Sequence, residues 1–249
     1  MAAKTKEVCQ RLSEHRRLTS REQDVRNPAA VNEMFAAIAR RYDLANHVLS
    51  CGLDFYWRRR AAGIVADWQP KKILDLATGT GDLAIALQEG IPNAEITGSD
   101  FSKEMLEIAK QKGLERTVLA DIVALPFPDG SFDCVTIAFG LRNVQDWSAA
   151  LREMARVLRE NGHLLILDFS LPQWAVLRAA YRIYLHRCLP LIAAALTRRR
   201  NAYEYLGNSI EEFPNGDVLL RLIESNGFTD ASAAPVTGGI VTIYIAAKL

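Results

Sequence analysis

The order of strand and helix patterns along this 249-residue chain predicts an α/β fold, a mostly parallel sheet with helices on both faces. Three observations predict it. Short buried-strand patterns alternate with helix patterns from residue 71 to residue 169. The first strand runs directly into a glycine-rich turn, Ala77-Thr78-Gly79-Thr80-Gly81-Asp82. The next two strands then end in acids, Asp100 and Asp121.

The elements follow in order. Residues 1–27 carry seven Lys/Arg and four Asp/Glu with almost no apolar periodicity, so 1–29 reads as a flexible arm. Met34, Phe35, Ile38 and Ala39, then Leu44, Val48 and Leu49, recur at spacings of three to four, and 30–68 reads as a helical lid. Lys71–Leu76 is the first strand, followed by a helix through Leu83–Gln88. Ala94–Asp100 is the second strand, and Ser102 opens a second helix through Met105, Leu106 and Ala109. Thr117–Asp121, Phe132–Phe139 and His163–Phe169 are further strands. A helix over Trp147–Leu158 stops at Asn161-Gly162. A helical insertion fills 172–225, and the C-terminal strands lie within 226–249, ending on the β-rich run Gly239–Ala246. Everything from residue 30 onward reads as a single domain, with 71–169 as its ligand-binding core.

Composition sets the outer limits. The chain is 49% hydrophobic and 24% charged, which excludes a disordered or low-complexity protein. A net charge of +1 provides no global field for nucleic acid. Cys9, Cys51, Cys134 and Cys188 lie far apart with no CxxC and no nearby histidine pair, so neither a disulfide framework nor a metal site is expected, and a reducing cytoplasm fits. The N-terminus has no apolar stretch of the secretory kind, and the Cys188–Leu196 run, interrupted by Pro190, is far short of the roughly 20 residues that cross a bilayer.

The glycine turn carries the first chemical signal. Gly79-Thr80-Gly81-Asp82-Leu83-Ala84 satisfies GxGxxG/A, in which backbone approaches a ligand at a helix N-terminus. A tight strand–helix turn without a ligand satisfies it too. Asp100, about twenty residues on, can accept hydrogen bonds from both hydroxyls of a ribose. An acid-rich rim of Asp75, Asp100 and Asp121 repels a pyrophosphate and suits a cationic, ribose-bearing ligand.

Asp75-Leu76-Ala77-Thr78-Gly79-Thr80-Gly81 resembles the first motif of class I S-adenosylmethionine-dependent methyltransferases. Three further stretches resemble the ubiquinone/menaquinone-biosynthesis C-methyltransferases. They are Tyr42-Asp43-Leu44-Ala45-Asn46 with Ser50, Gly52 and Trp57; Leu125–Asp129 with Phe132-Asp133 and Phe139-Gly140-Leu141-Arg142-Asn143; and Ala202-Tyr203 with Tyr205-Leu206, Ser209-Ile210 and Phe213-Pro214. The likeness covers about residues 32–249. The chain departs from that family's usual pattern at Ala45 and Asp54 (Met and His), at Arg159–Gly162 (a basic-Pro-Gly-Gly turn), at Asp168 (Glu) and at Ala138 (Ser).

The resemblance implies a Rossmann-like class I methyltransferase fold with a seven-stranded sheet. It implies transfer of a methyl group from S-adenosylmethionine to a ring carbon of a prenylated hydroquinone, 2-demethylmenaquinol giving menaquinol, with the methoxy-benzoquinol precursor of ubiquinone as the alternative. Position by position it assigns donor contacts to Thr80, Asp100, Asp121 with Ile122, and Ala138, beside the turn of Asp75, Gly79 and Gly81. The ring must be reduced to be nucleophilic. Its phenolic proton, with a pKa near ~10, is what needs help to leave. Arg142 is expected to stabilise the developing phenolate, and Asn143 either to cap the next helix or to orient the ring. Tyr42, Asn46, Trp57 and Tyr203 are expected around the lid or substrate, and His47, His186 and a water stay open as the base.

Two other readings remain beside it: an NAD-dependent oxidoreductase and a non-catalytic donor-binding module. The YxxxK match of Tyr244 and Lys248 falls in a strand-like run and is read as chance. From Leu171 to Arg200 there are six arginines and no acid, interleaved with Trp174, Val176, Leu177, Tyr181, Ile183 and Leu185. That stretch is expected to lie against the inner face of the membrane, where a prenyl tail resides. A homodimer is left open.

Overall fold

The computed structural model describes residue 47 and residues 50–189 and 200–249, the stretch 200–204 by its backbone alone. The N-terminal arm, the first half of the expected lid and the apolar run after Leu189 lie outside the described residues. Along the chain come α1 (Leu53–Asp67), β1 (Lys72–Leu76), α2 (Asp82–Gly90), β2 (Glu95–Asp100), α3 (Lys103–Gln111), β3 (Arg116–Leu119) and β4 (Phe132–Ala138). A short 3-10 turn over Leu141–Asn143 leads to α4 (Trp147–Val157) and β5 (Leu158–Phe169). Then follow α5 (Ala175–Ile183), which runs on through a π-helical turn at Tyr184–Cys188, α6 (Arg200–Glu212), α7 (Asp217–Glu224), β6 (Phe228–Val236) and β7 (Val241–Lys248).

Seven strands form one sheet in the order β3-β2-β1-β4-β5-β7-β6. The first five pair in parallel, while β7 runs antiparallel to both β5 and β6. Parallel strands covered on both faces must be apolar on both faces. Accordingly Ile73 and Leu74 of β1, and Leu164 to Leu167 of β5, are fully buried. Alternate residues feed two cores. Leu74, Leu76, Val135 and Ile166 meet α4 and α7, while Ile73, Cys134, Leu165 and Leu167 meet α1 and α2.

The helix starts follow their local chemistry. Ser102 caps α3 by accepting from the Met105 amide, and Asp146 caps α4 by accepting from the Ala149 amide. In α1, Asp54, Trp57, Arg58, Ala61, Ala62 and Val65 are buried, the repeat of three and four that one helical face requires.

Three boundaries differ from the sequence expectation. The third strand ends at Leu119, and Asp121 makes only an isolated bridge to Ala124. Strand β5 begins at Leu158, pairs with Phe132, shifts register, and resumes at His163; Asn161, at φ 57, takes the turn between. The last strand starts at Val241, because Thr237–Gly239 forms a 3-10 turn with Gly238 in a left-handed conformation.

Candidate functional site

Strand order reverses between β1 and β4, with β2 and β3 on one side and β5 on the other. Loops leaving such neighbours diverge, and a crevice opens at their carboxyl ends. A cavity of 310 Å³ lies there, lined by the turns that follow β1, β2 and β4 and by residues 120–123.

Asp75 anchors its floor and is 1% exposed. The register sets Asp75 opposite Thr136, whose hydroxyl donates to Oδ1 at 2.7 Å; the Thr78 hydroxyl donates to Oδ2 at 2.6 Å. Burial pushes the Asp75 carboxyl up to about 6; Asp100 adds to the rise, and Thr78, Thr136 and Arg58 oppose it. Folded Asp75 therefore holds its proton to a higher pH than the unfolded chain does. Its contribution to stability is fully present below about pH 4 and is lost as pH rises to about 6, on the order of 2–3 kcal/mol. Asp75→Asn is expected to raise stability at pH 7 and to flatten the change between pH 4 and 6, read by urea denaturation. An unchanged pH profile in the variant would contradict the buried, proton-holding carboxyl.

Next to it the glycine turn meets Asp100. The Gly79 amide donates to Asp100 Oδ2 at 2.8 Å and the Ser102 amide to Oδ1 at 2.9 Å. Burial raises the Asp100 pKa, and the amides of Ser102, Gly79 and Phe101 hold the rise in check. A carboxylate has about four acceptor positions, so with three amides facing it Asp100 keeps capacity for a ribose hydroxyl. Two glycines let these turns approach. Gly81 is left-handed (φ 88), and a Cβ there would come 3.1 Å from the Cβ of Ala109 in α3. A Cβ on Gly140 would sit 2.5 Å from that of Ala77, so only glycine lets the turn after β4 lie against the turn after β1.

Among the expected donor contacts, Asp75, Gly79, Thr80, Asp100, Asp121, Ile122 and Ala138 all line the cavity. Gly81 does not; its place is the packing of α2 on α3. Asn143 lines the cavity and accepts from the Tyr205 hydroxyl at 3.2 Å.

Arg142 stands differently from the expectation. It is 3% exposed and lies outside the cavity lining. Its Nη1 donates to Asp168 Oδ1 at 2.7 Å and to the Phe139 carbonyl, its amide faces Asp168 Oδ2 at 3.3 Å, and its guanidinium lies 5.2 Å from the Phe169 ring centre. Burial raises the pKa of Asp168, with the Arg142 charge the main opposing influence. The pair ties together the ends of β4 and β5, behind the residues that face the ligand.

Trp57 is likewise no lid residue. It is 2% exposed, packs near Phe139 and Phe169, and donates its indole N–H to Thr237 at 2.8 Å. A large ring whose N–H has an internal partner belongs in the core. Tyr42 and Asn46 lie outside the described residues, and Tyr203 is placed in α6 by its backbone alone. His47 pairs with Asp54 at 2.6 Å and stacks on Phe55, and His186 faces Glu211 at 3.3 Å; neither lines the cavity.

Sequence reasoning missed Arg58, Asp82 and Thr78 as lining residues, and Thr136 as Asp75's partner. Thr136 was within reach, since a threonine in the strand beside Asp75 is a ready donor. Arg58 opens the run Arg58-Arg59-Arg60, which reads as a solvated face.

The whole-chain comparisons agree. The ubiE/COQ5 methyltransferase family model matches residues 21–248. The chain is 46% identical over 217 residues to a demethylmenaquinone methyltransferase of Thermus thermophilus, covering 85% of this chain and 98% of that protein. It is 41% identical to the ubiquinone/menaquinone biosynthesis C-methyltransferase UbiE of Geotalea uraniireducens, covering 88% and 96%. Among solved structures, a SAM-dependent methyltransferase of Thermotoga maritima superposes with a TM-score of 0.63 at 17% identity, over 88% of this chain and 99% of that one. Human N-acetylserotonin methyltransferase gives 0.58 at 21% identity, over 87% and 59%. At those identities the likeness is one of fold, the class I methyltransferase fold. On the sequence match over most of its length, the chain belongs to the ubiE/COQ5 methyltransferase family.

Proposed function

We propose that this chain methylates a ring carbon of a prenylated hydroquinone, converting 2-demethylmenaquinol to menaquinol with S-adenosylmethionine as the donor. One observation carries the donor site: Asp100 ends β2 beside the Gly79 turn, inside a cavity at the reversal of strand order. The name of the related protein from Thermus thermophilus supports the naphthoquinol head group. Family membership leaves no ground for the dinucleotide reading of the glycine turn.

S-adenosylmethionine, when bound, supplies an electrophilic methyl group on a sulfonium. The chain's own residues do the rest. Asp100 would hold the ribose diol, and Asp121 with the Ile122 amide would meet the adenine edge. Asn143, fixed by Tyr205, presents its side-chain amide to a phenolic oxygen of the ring. Arg142 acts one layer back, holding the Phe139–Asn143 turn through Asp168 and the Phe139 carbonyl. Both histidines are engaged with acids away from the cavity, which favours a water as acceptor of the phenolic proton. Much of the acceleration then comes from positioning, which can supply roughly 7–11 kcal/mol.

The test is competition between reduced head groups. Demethylmenaquinol should be turned over in preference to the methoxy-benzoquinol precursor of ubiquinone at equal concentration; the reverse preference would move the assignment to ubiquinone biosynthesis.

The same reading places α5 against the inner face of the membrane. Tyr181, Leu185 and Leu189 pack on Ile210 of α6, and Arg182 and His186 face Glu211, so that side of the helix is used internally. The outer side keeps Trp174 (78% exposed), Val176 (85%) and Ile183 (56%), with Arg187 also exposed. Val176, Ala179, Ala180, Ile183 and Arg187 recur at helical spacing, a strip suited to an anionic lipid interface. Among the described residues, no helix is long and apolar enough to cross a membrane. Co-sedimentation with anionic vesicles should fall when salt is raised or when Arg198, Arg199 and Arg200 become Gln, each basic residue contributing roughly 1 kcal/mol. Indifference to both would overturn the membrane contact.

A further inference from the structure

Tyr181 of α5 is 7% exposed, yet among the described residues its hydroxyl has no hydrogen-bond partner. The side chains packed with it, Leu185, Leu189, Ile210 and Phe169, are apolar. A phenylalanine would fill that space without the cost of taking a hydroxyl out of water, and a tyrosine this deep ordinarily has its O–H paired. Burial pushes the Tyr181 pKa up; the Tyr184 hydroxyl and Asp168 add to the rise, and Arg142 opposes it. The hydroxyl therefore keeps its proton and stands ready to donate it.

Its neighbours indicate to what. The Phe169 ring, packed on the Tyr181 cluster, lies 4.7 Å from that of Phe139, which lines the donor cavity. The Arg142 guanidinium lies 5.2 Å from the centre of the same Phe169 ring, so Tyr181 and the Leu141–Asn143 turn border one aromatic side chain. Helix α6 ties the two together, with Ile210 packed on Tyr181 and Tyr205 donating to Asn143 at 3.2 Å. Two polar groups, the Asn143 amide and the Tyr181 hydroxyl, thus stand among aromatic rings next to the donor cavity. A flat ring with oxygens on opposite carbons complements that arrangement, ring against ring and oxygen against donor. We propose that Tyr181 donates a hydrogen bond to the acceptor's second ring oxygen, the one beside the prenyl-bearing carbon, while Asn143 meets the oxygen beside the carbon that is methylated. The proposal rests on a prenylated hydroquinone being the acceptor. The choice of oxygen follows from the helix, since α5 also carries the exposed strip of Trp174, Val176 and Ile183 assigned to the lipid surface where the tail resides. The contact turns the free ring carbon toward the methyl group.

Two acceptors separate this role from a packing one. Demethylmenaquinol with a short prenyl tail, kept reduced, carries both ring oxygens. The matching prenylated naphthol keeps only the hydroxyl beside the accepting carbon and lacks the oxygen assigned to Tyr181. Dissociation constants for both are measured on the full chain loaded with S-adenosylhomocysteine. Tyr181→Phe should weaken demethylmenaquinol by roughly 3- to 10-fold, the usual effect of losing one uncharged hydrogen bond. It should leave the naphthol and S-adenosylhomocysteine unchanged, because phenylalanine keeps the ring and its packing. Equal weakening of both acceptors, or of neither, would overturn the proposal. The wild type gives a second readout that needs no variant: the naphthol should bind roughly 3- to 10-fold more weakly than demethylmenaquinol, and equal binding would also overturn the contact. A wild-type chain that holds S-adenosylhomocysteine but neither acceptor would overturn the hydroquinone reading itself, an outcome distinct from the loss of Tyr181's role.

Discussion

Asp100→Asn is expected to weaken S-adenosylmethionine binding on the order of 10- to 100-fold while leaving the chain folded. The two carboxylate oxygens of Asp100 accept the amides of Gly79 and Ser102, one on each side, with the Phe101 amide beside them. An asparagine has one oxygen and one NH2, so one of those amides would face another donor. The turn that shapes the cavity would loosen, and half of the acceptor capacity offered to the ribose would go at the same time. Isothermal calorimetry with the folded variant reads the effect. Unchanged donor affinity would place the donor somewhere other than beside β2.

The second large effect is expected at Arg142. Arg142→Ala strands Asp168, whose side chain is 0% exposed, without its charge partner. Breaking one half of a buried pair typically costs about 3–5 kcal/mol. Turnover should fall further than donor affinity, because the turn from Phe139 to Asn143 loses the contacts that hold it. Changing both partners together, Arg142→Met with Asp168→Leu, is expected to recover much of the stability and little of the turnover. A variant pair that recovers both would reduce Arg142 and Asp168 to packing. Equal turnover in Arg142→Ala, at saturating donor and quinol, would remove the arginine from the mechanism altogether.

Legibility in the sequence followed how local each feature is. The strand Lys72–Leu76 and its turn were readable because a buried apolar run, a glycine pair and a helix start are all set by neighbouring residues. Ser102 and Asp146 announce α3 and α4 for the same reason. What stayed hidden depends on contacts between distant positions. Arg142 finds Asp168 across 26 residues, and Trp57 finds Thr237 across 180, so neither pairing leaves a local mark. An arginine after a Phe-Gly turn reads as a group facing the substrate until its buried acid is seen. Arg58 shows a third case. Its neighbours Arg59 and Arg60 are exposed, yet its spacing from Asp54, Ala61 and Ala62 sets it on the buried face. The boundary of β3 was misplaced for a simpler reason: Asp121 can end a strand or begin a turn, and here its side chain accepts from the Val123 amide.

The most direct test of the account is the fate of a labelled methyl group. Full-length protein is given S-adenosylmethionine with an isotopically labelled methyl and demethylmenaquinol kept reduced, and the product is mapped by mass spectrometry and NMR. The account predicts label on a ring carbon of menaquinol, and no transfer when the same compound is supplied as the oxidised quinone. Label on an oxygen, or equal transfer to quinone and quinol, would contradict it.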